Sequence, residues 1–315
     1  MPPTRANAAC ALLLAISAGS ARAQFVEPDV RIIHMFEGAA GSGLGWAVSG
    51  MRDLDGDGVM ELIIPSPGDN ANTGRVDVFS GASGAPIPYL TLYGSIAAGR
   101  FGHAIADAGD VDHDGKTDLI VGSPGPATTA GRVNVFSGRT GALIRQTDGA
   151  VVADGFGFAV AGIGDINNDG FADVLVGAPG QDSGGNGAGR IYIISGIDGA
   201  VLRTHDGAAP GDRLGCGVTG IGDLDGDGVP DYAAAANLAG PTHHGRAYIW
   251  SGATGLPLVP PLDADATGSK FGEFFIGPAG DVDGDGITDL YVGDYADRSE
   301  EHTSELQSHH DLVCR

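Results

Sequence analysis

Five acidic runs hold the residues best able to do chemistry: DLDGDGVME from Asp53, DVDHDGKTD from Asp110, DINNDGFAD from Asp165, DLDGDGVPD from Asp223 and DVDGDGITD from Asp281. They share the pattern D-x-[DN]-x-D-G-x-x-[DE]. Side chains at positions 1, 3 and 5 of such a loop can converge on one ion, position 7 can offer its backbone carbonyl, and position 9 closes the site. Gly at position 6 permits the sharp turn. A donor set made of oxygen alone suits Ca²⁺, a hard cation that takes six to eight oxygen ligands. The expected side-chain ligands are Asp53, Asp55, Asp57 and Glu61; Asp110, Asp112, Asp114 and Asp118; Asp165, Asn167, Asp169 and Asp173; Asp223, Asp225, Asp227 and Asp231; and Asp281, Asp283, Asp285 and Asp289. The expected carbonyl ligands belong to Val59, Lys116, Phe171, Val229 and Ile287.

Up to five Ca²⁺ sites follow from this pattern. D-G pairs also make plain turns, but five loops at a constant place in a repeat favour the metal. Four carboxylates crowded together repel or take up protons unless a cation neutralises them. The third loop, with Asn167, has one charge fewer and is expected to bind more weakly. A helix-flanked loop of the EF-hand kind needs Glu at position 12. Here position 12 is Ile64, Val121, Val176, Ala234 or Val292, and the flanks are strand-like.

The elements around these loops repeat with them. Segments open at Leu44 (LGWAV), Phe101 (FGHAI), Phe156 (FGFAV), Leu214 (LGCGV) and Phe271 (FGEFF). Each acidic run passes into a short apolar run such as LIVGSPG or VLVGAPG. Four repeats then alternate after a Gly-Arg pair: RVDVFSG from Arg75, RVNVFSG from Arg132, RIYIISG from Arg190 and RAYIWSG from Arg246. Period-2 alternation of this length predicts a strand. The S-G-x-x-G that follows is a hairpin signal, and a last strand such as ALIRQ from Ala142 or AVLRT from Ala200 completes the unit. Four antiparallel strands per unit at this period predict an all-β β-propeller. A β-sandwich would not need a fivefold period. Val30 to Phe36 (VRIIHMF) occupies the place of ALIRQ and reads as a fourth strand that completes the last blade and closes the ring.

Bulk properties agree. The chain of 315 residues contains 55 glycines, as an all-β protein with many tight turns requires. Its formal net charge is −23, which argues against nucleic acid or an anionic membrane surface as partner. Nineteen of the 40 acidic residues are loop ligands, so five Ca²⁺ would bring the formal charge to about −13. Residues 1–23 read as a signal peptide, with Arg5 before the apolar stretch Ala8 to Ala18 and an A-x-A-like site at Ala21-Arg22-Ala23. The expected location is therefore secreted or cell-surface, with no membrane insertion visible in this stretch of sequence. After cleavage only Cys216 and Cys314 remain, so no disulfide framework stiffens the chain and the metal takes that role.

The repeats occupy residues 24–297. Residues 298–315 (RSEEHTSELQSHHDLVCR) lack alternation and glycine turns, and Arg298 to Ser308 resembles a translated sequencing adapter. This segment is read as foreign, which removes His302, His309 and His310 from consideration and leaves the fifth repeat cut in mid-blade.

These motifs together resemble FG-GAP repeats of the integrin α-subunit head, over roughly residues 30 to 297. The FG is present as Phe101-Gly102, Phe156-Gly157 and Phe271-Gly272. GAP is literal at Gly177-Ala178-Pro179, close at Gly122-Ser123-Pro124 and altered at Pro65-Ser66-Pro67; the fourth and fifth repeats depart from it (Ala235-Ala236-Asn237 and Gly293-Asp294-Tyr295). The resemblance implies a seven-bladed propeller with Ca²⁺ in blade loops, of which about four and a half blades are present here. It also implies an extracellular adhesion or ligand-binding module with an unidentified protein or glycan partner. The alternatives are the propeller part of a secreted hydrolase or lyase, and a structural spacer of a surface protein. No catalytic residue is expected: His103 stands where other repeats have Trp46, Phe158, Cys216 and Glu273, His243-His244 lies in a loop, Trp250 reads as core, and Cys216 reads as a small buried hydrophobe.

Overall fold

The computed structural model describes residues 33–264, 270–273, 276–282, 284 and 286–293. The signal segment at 1–23, the tail at 298–315, and the expected ligands Asp283 and Asp285 lie outside the described residues.

Four four-stranded antiparallel sheets and one two-stranded sheet follow one another along the chain. The first contains β1 (Ser49–Met51), β2 (Glu61–Ser66), β3 (Arg75–Phe79) and β4 (Leu92–Tyr93). The second contains β5 (Ala104–Gly109), β6 (Asp118–Ser123), β7 (Arg132–Phe136) and β8 (Leu143–Asp148). The third contains β9 (Ala159–Gly164), β10 (Asp173–Ala178), β11 (Arg190–Ile194) and β12 (Val201–Asp206), and the fourth β13 (Leu214–Gly222), β14 (Asp231–Ala236), β15 (Arg246–Trp250) and β16 (Leu262–Asp263). β17 (Ile276–Gly280) and β18 (Asp289–Val292) form the fifth. The strands of each sheet pair in sequence order. The first strands lie side by side from sheet to sheet, β1 by β5, β5 by β9, β9 by β13 and β13 by β17. They surround a cavity of about 610 Å³ lined by Trp46, His103, Phe158 and Cys216 among others. This is the blade arrangement of a propeller.

The second strands explain the continuous apolar runs. Every residue of β2, β6, β10 and β14 is buried; β6, β10 and β14 each stand in a sheet with a described sheet before and after it, which covers both faces. The hydrophobic clusters accordingly lie between blades. Phe101 packs with Val76, Val78 and Leu92 of the first blade, Phe156 with Val133 and Val135 of the second, and Phe271 with Ala247 and Ile249 of the fourth. The aromatic of each FG is thus a wedge driven into the preceding sheet. The glycine beside it ties its own blade together: Gly102 N–H donates to the carbonyl of Gly122 at 3.1 Å, Gly157 to Gly177 at 3.0 Å and Gly272 to Gly293 at 2.9 Å. At Gly122 and Gly177 a Cβ would overlap the carbonyl of Gly157 and Gly215 of the next blade, so the GAP glycine is fixed by close approach.

Residues 33–36 depart from the expected strand. They are without ladder pairing, having no described strand beside them, and bind through side chains: His34 Nε2 lies 2.8 Å from the Gly81 carbonyl and Phe36 sits 4.5 Å from Phe79. Arg145 and Arg203 make the same reach from β8 and β12, donating to the carbonyls of Gly196 and Gly252 of the next blade at 3.2 and 2.9 Å.

Burial places Trp250, Cys216 and His103 in the interior, at 6%, 0% and 4% exposure. His103 Nδ1 donates to the Phe158 carbonyl at 3.1 Å. Burial first, and then the nearby Arg100 guanidinium, pulls the imidazole down to about 4. An unfolded histidine titrates near 6.5, so between those values the unfolded chain binds a proton that the folded chain refuses. The stability contributed by the neutral ring is complete above pH 6.5 and drains away as the pH falls toward 4, the loss reaching about 2 kcal/mol at pH 5. His103→Phe, which copies Phe158, is expected to flatten the fall of Tm between pH 7 and pH 5 at constant calcium. An acid limb identical to that of the unsubstituted protein would remove His103 from its cause.

Candidate metal centres

Each acidic loop joins the first and second strands of a blade, so all five lie at the same end of the sheets. A glycine with positive φ turns the first strand into the loop, at Gly109 (76°), Gly164 (73°), Gly222 (74°) and Gly280 (75°). The position-1 acid then organises the turn. Asp53 accepts from the amides of Gly56 and Gly58 at 2.6 and 2.8 Å, Asp110 from Asp114 and Gly115, Asp165 from Asp169 and Gly170, Asp223 from Gly226 and Gly228, and Asp281 from Gly284 and Gly286. These backbone bonds, that from Gly58 foremost, hold Asp53 below the usual carboxylate range. The position-3 side chain accepts from the amide of position 5: Asp57 to Asp55, Asp114 to Asp112, Asp169 to Asn167 and Asp227 to Asp225. The position-5 acid accepts from position 7, which sets Val59, Lys116, Phe171 and Val229 on the same turn.

The acids converge in three loops. Carboxylate oxygens of Asp53, Asp55 and Asp57 lie within 4.8 Å of one another, as do those of Asp110, Asp112 and Asp118, and of Asp223, Asp225 and Asp231. The third loop is not among these groups; there Asn167 Nδ2 donates to Asp169 at 2.9 Å. The converging donors are all hard oxygens, and the one imidazole on these turns, His113, is engaged with the Gly170 carbonyl; the set fits Ca²⁺ and not a soft metal. Burial, then Asp114 and Asp110, pushes Asp112 upward, the cost that a bound cation would relieve.

The ninth position does more than close a site. Asp118, Asp173 and Asp231 are fully buried, and each carboxylate bridges two hairpins of its blade. Asp118 Oδ2 accepts from Val111 N–H at 2.7 Å and Oδ1 from Gly138 N–H at 3.0 Å. Asp173 does the same with Ile166 and Gly196, and Asp231 with Leu224 and Gly252. Glu61, one methylene longer, takes Leu54 at 2.6 Å and Gly81 at 3.4 Å. Asp289 keeps the first half of the bridge, to Val282 at 2.7 Å. Burial pushes Asp118 and Asp173 up to about 6, against the pull of these amides. The bridging glycine is the first one of S-G-x-x-G, so its recurrence 20 to 23 residues after each acid was the available signal for the link.

Sequence reasoning also missed the cations around the second loop. Arg139 Nε donates to Asp114 Oδ2 at 2.9 Å, taking a position-5 oxygen that the ion would use. Lys116 Nζ reaches the Asp53 and Leu54 carbonyls of the first loop at 3.2 and 3.0 Å, and His113 Nδ1 lies 2.8 Å from the Gly170 carbonyl of the third. At the blade rim Arg132, Arg190 and Arg246 clasp Asp148, Asp206 and Asp263 of the adjoining outer strand.

The two kinds of acid separate in metal-free solution. Asp118→Ala strands two buried amides and is expected to cost about 2–4 kcal/mol in urea unfolding with chelator present. Asp112→Ala, at an exposed position, is expected to stay within about 0.5 kcal/mol of the unsubstituted protein under the same conditions. Equal effects of the two would refute the bridge.

The family model described as FG-GAP repeat matches residues 44–79, 102–136 and 156–194. Integrin alpha-V of Gallus gallus is 34% identical over 206 residues, covering 61% of this chain and 20% of that protein. Integrin alpha-IIb of Homo sapiens is 34% identical over 212 residues, covering 62% and 20%. Integrin alpha pat-2 of Caenorhabditis elegans is 31% identical over 215 residues, covering 60% and 17%. The chain spans about a fifth of the length of these curated relatives. Among solved structures, BBS1N in complex with ARL6DN shows a TM-score of 0.48 at 9% identity, covering 78% of this chain and 62% of that one. With FG glycines paired to GAP carbonyls and FG aromatics wedged between blades, the chain carries an integrin-α-like domain of FG-GAP repeats.

Proposed function

We propose that this chain is an extracellular, calcium-dependent adhesion or ligand-binding module, with Ca²⁺ held in the first-to-second strand loops and a protein or glycan partner. The observation that carries the calcium reading is the convergence of three carboxylates within 4.8 Å in three separate loops of one repeated design. Residues at positions 1, 3, 5 and 9 would supply side-chain oxygens and position 7 its carbonyl; the bound ion would neutralise the crowded acids and clamp the loop between two strands. Extracellular modules hold Ca²⁺ at about 10⁻⁴–10⁻³ M, so occupancy would stabilise the folded chain by mass action. The fifth loop shares this frame through Asp281 and Asp289, and the signal segment read at 1–23 supplies the route of export.

The non-catalytic reading is supported by the state of the two residues nearest to nucleophile and base. Burial pushes the Cys216 thiol up to about 12, and its Sγ donates to the Ala235 carbonyl at 3.4 Å. His103 is buried and neutral. Among the described residues no helix is long and apolar enough to cross a membrane.

Chelation is expected to lower Tm by several degrees, and Asp112→Ala with Asp114→Ala to remove one ion per molecule by native mass spectrometry. An unchanged ion count would refute the assignment of the second loop. Arg139→Gln frees the Asp114 oxygen and is expected to tighten the second site several-fold in a calcium titration, whereas an unaltered affinity would show that the guanidinium does not compete. Adhesion itself is tested by screening immobilised extracellular proteins and glycans with and without Ca²⁺; capture indifferent to the ion would remove calcium from the binding, and no capture in either condition would leave only a spacer role.

A further inference from the structure

We propose that the end of the axial cavity opposite the acidic loops binds a carboxylate-bearing segment of a protein partner through Arg100 and Arg213. This deepens the ligand-binding reading, on which it rests, without relying on calcium.

The placement follows from the strands. Arg100 and Arg213 stand just before the first strands of the second and fourth blades, whereas the acidic loops follow the other ends of those strands. Both line one groove of about 380 Å³, together with Pro124, Asp154, Phe158 and Pro179. In a chain of formal charge −23, cations at one mouth are unexpected unless they meet something. Arg75, Arg132, Arg139, Arg190 and Arg246 are each paired with a carboxylate. Arg100 and Arg213 make no ion pair among the described residues; Arg100 rests over the Trp46 ring at 5.1 Å. Asp154, the acid of the groove wall, is buried and forms no ion pair with either arginine among the described residues.

The backbone supplies the second argument. The residue before FG is left-handed in every blade: Gly43 (64°), Arg100 (55°), Gly155 (68°), Arg213 (62°) and Lys270 (64°). Glycine meets that demand in two blades without strain. In three others the same position carries a long cation, in a conformation that L side chains rarely adopt. A Cβ at Gly155 or Gly43 would stand 3.8 or 3.7 Å from Pro179 or Pro67, so a side chain there fits without overlap beside the loop proline. Lys270 is paired with Glu273 at 3.5 Å, which leaves the two arginines. Folding does not ask for a guanidinium at this position, and binding does.

Guanidinium forks match the planar, two-oxygen geometry of a carboxylate. Gly125, Gly155 and Gly180 bring backbone to the groove wall, where an extended peptide can pair, and the lining residues include no Trp or Tyr face for a sugar ring.

The test uses the full chain at saturating calcium, with arginine side-chain ¹⁵N resonances as the readout. The probes are acetyl-Gly-Glu-Gly-Glu-Gly amide, its glutamine counterpart and a hyaluronate tetrasaccharide. The glutamate peptide is expected to shift the Arg100 and Arg213 signals and the glutamine peptide to bind at least tenfold more weakly. Arg100→Gly with Arg213→Gly is expected to weaken the glutamate peptide at least tenfold while Tm holds or rises, since glycine suits these positions. Equal binding of the two peptides, undiminished binding by the double variant, or binding of the tetrasaccharide alone would overturn the proposal. Failure of the calcium reading would show instead as a Tm indifferent to chelation, with the peptide response intact.

Discussion

The blade depends on one buried carboxylate. At Asp118, Asp173 and Asp231 a single side chain spans the amide of the metal loop and the amide of the outer hairpin, and so fixes the distance between the two turns at one end of the sheet. A buried acid is costly, and only the paired amides make it tolerable. Once it is in place, the rest of the loop has little freedom. Position 1 winds the turn around its own oxygens, position 3 receives the amide of position 5, and the remaining lone pairs face one another across a few ångströms. The crowding that favours a cation is therefore a consequence of how the blade is held together. A bound ion would share a residue with the scaffold, so the calcium reading does not need a site separate from it.

Between blades a different constraint operates. The FG aromatic fills the preceding sheet, while the GAP glycine lets the backbone of the next blade's FG glycine come close. Apolar wedging supplies the attraction, and the absence of Cβ atoms sets the spacing. Where the motif drifts, the contact is kept by other means. In the fourth blade Leu214 replaces the aromatic at 1% exposure, and Cys216 reaches the Ala235 carbonyl where GAP is absent. The arginines of β8 and β12, with His34 in the corresponding place before the first blade, add a polar tie at the outer turns.

What was legible in the sequence was whatever recurs as type and spacing. The alternating runs from Arg75, Arg132, Arg190 and Arg246 are strands, the second strands are the continuous apolar runs, and Trp250 and Cys216 are buried as their places in the repeat suggested. What escaped was contact between repeats. Nothing in the period reveals that Lys116 crosses to the first loop, that His113 touches the third, or that Arg139 competes for Asp114, because these depend on how far one blade is rotated from the next. The clasp from Arg190 to Asp206 was nearer the surface of the text, since each such Arg is followed by an Asp after 16 or 17 residues, but a spacing that crosses a hairpin points to a partner only once the register is known. Residues 33–36 show the converse: strand-like in sequence, they have no strand edge beside them among the described residues and stay without ladder pairing.

The two ends of the sheets also obey different rules of variation. In the loops the left-handed fourth position is Gly56, Gly226 and Gly284 but His113 and Asn168, the two residue types other than glycine that tolerate this conformation best along with Asp. That substitution follows backbone chemistry and needs no further cause. At the opposite end the left-handed position before FG alternates between glycine and arginine or lysine, which have no such tolerance. Elsewhere at this end short side chains also take the left-handed conformation, at Ala98 (55°) and Ala153 (68°), so what sets the position before FG apart is the length and charge of its side chain. The contrast between two equivalent strains, one met by residues suited to it and the other by long cations, is the backbone observation on which the proposed carboxylate site rests.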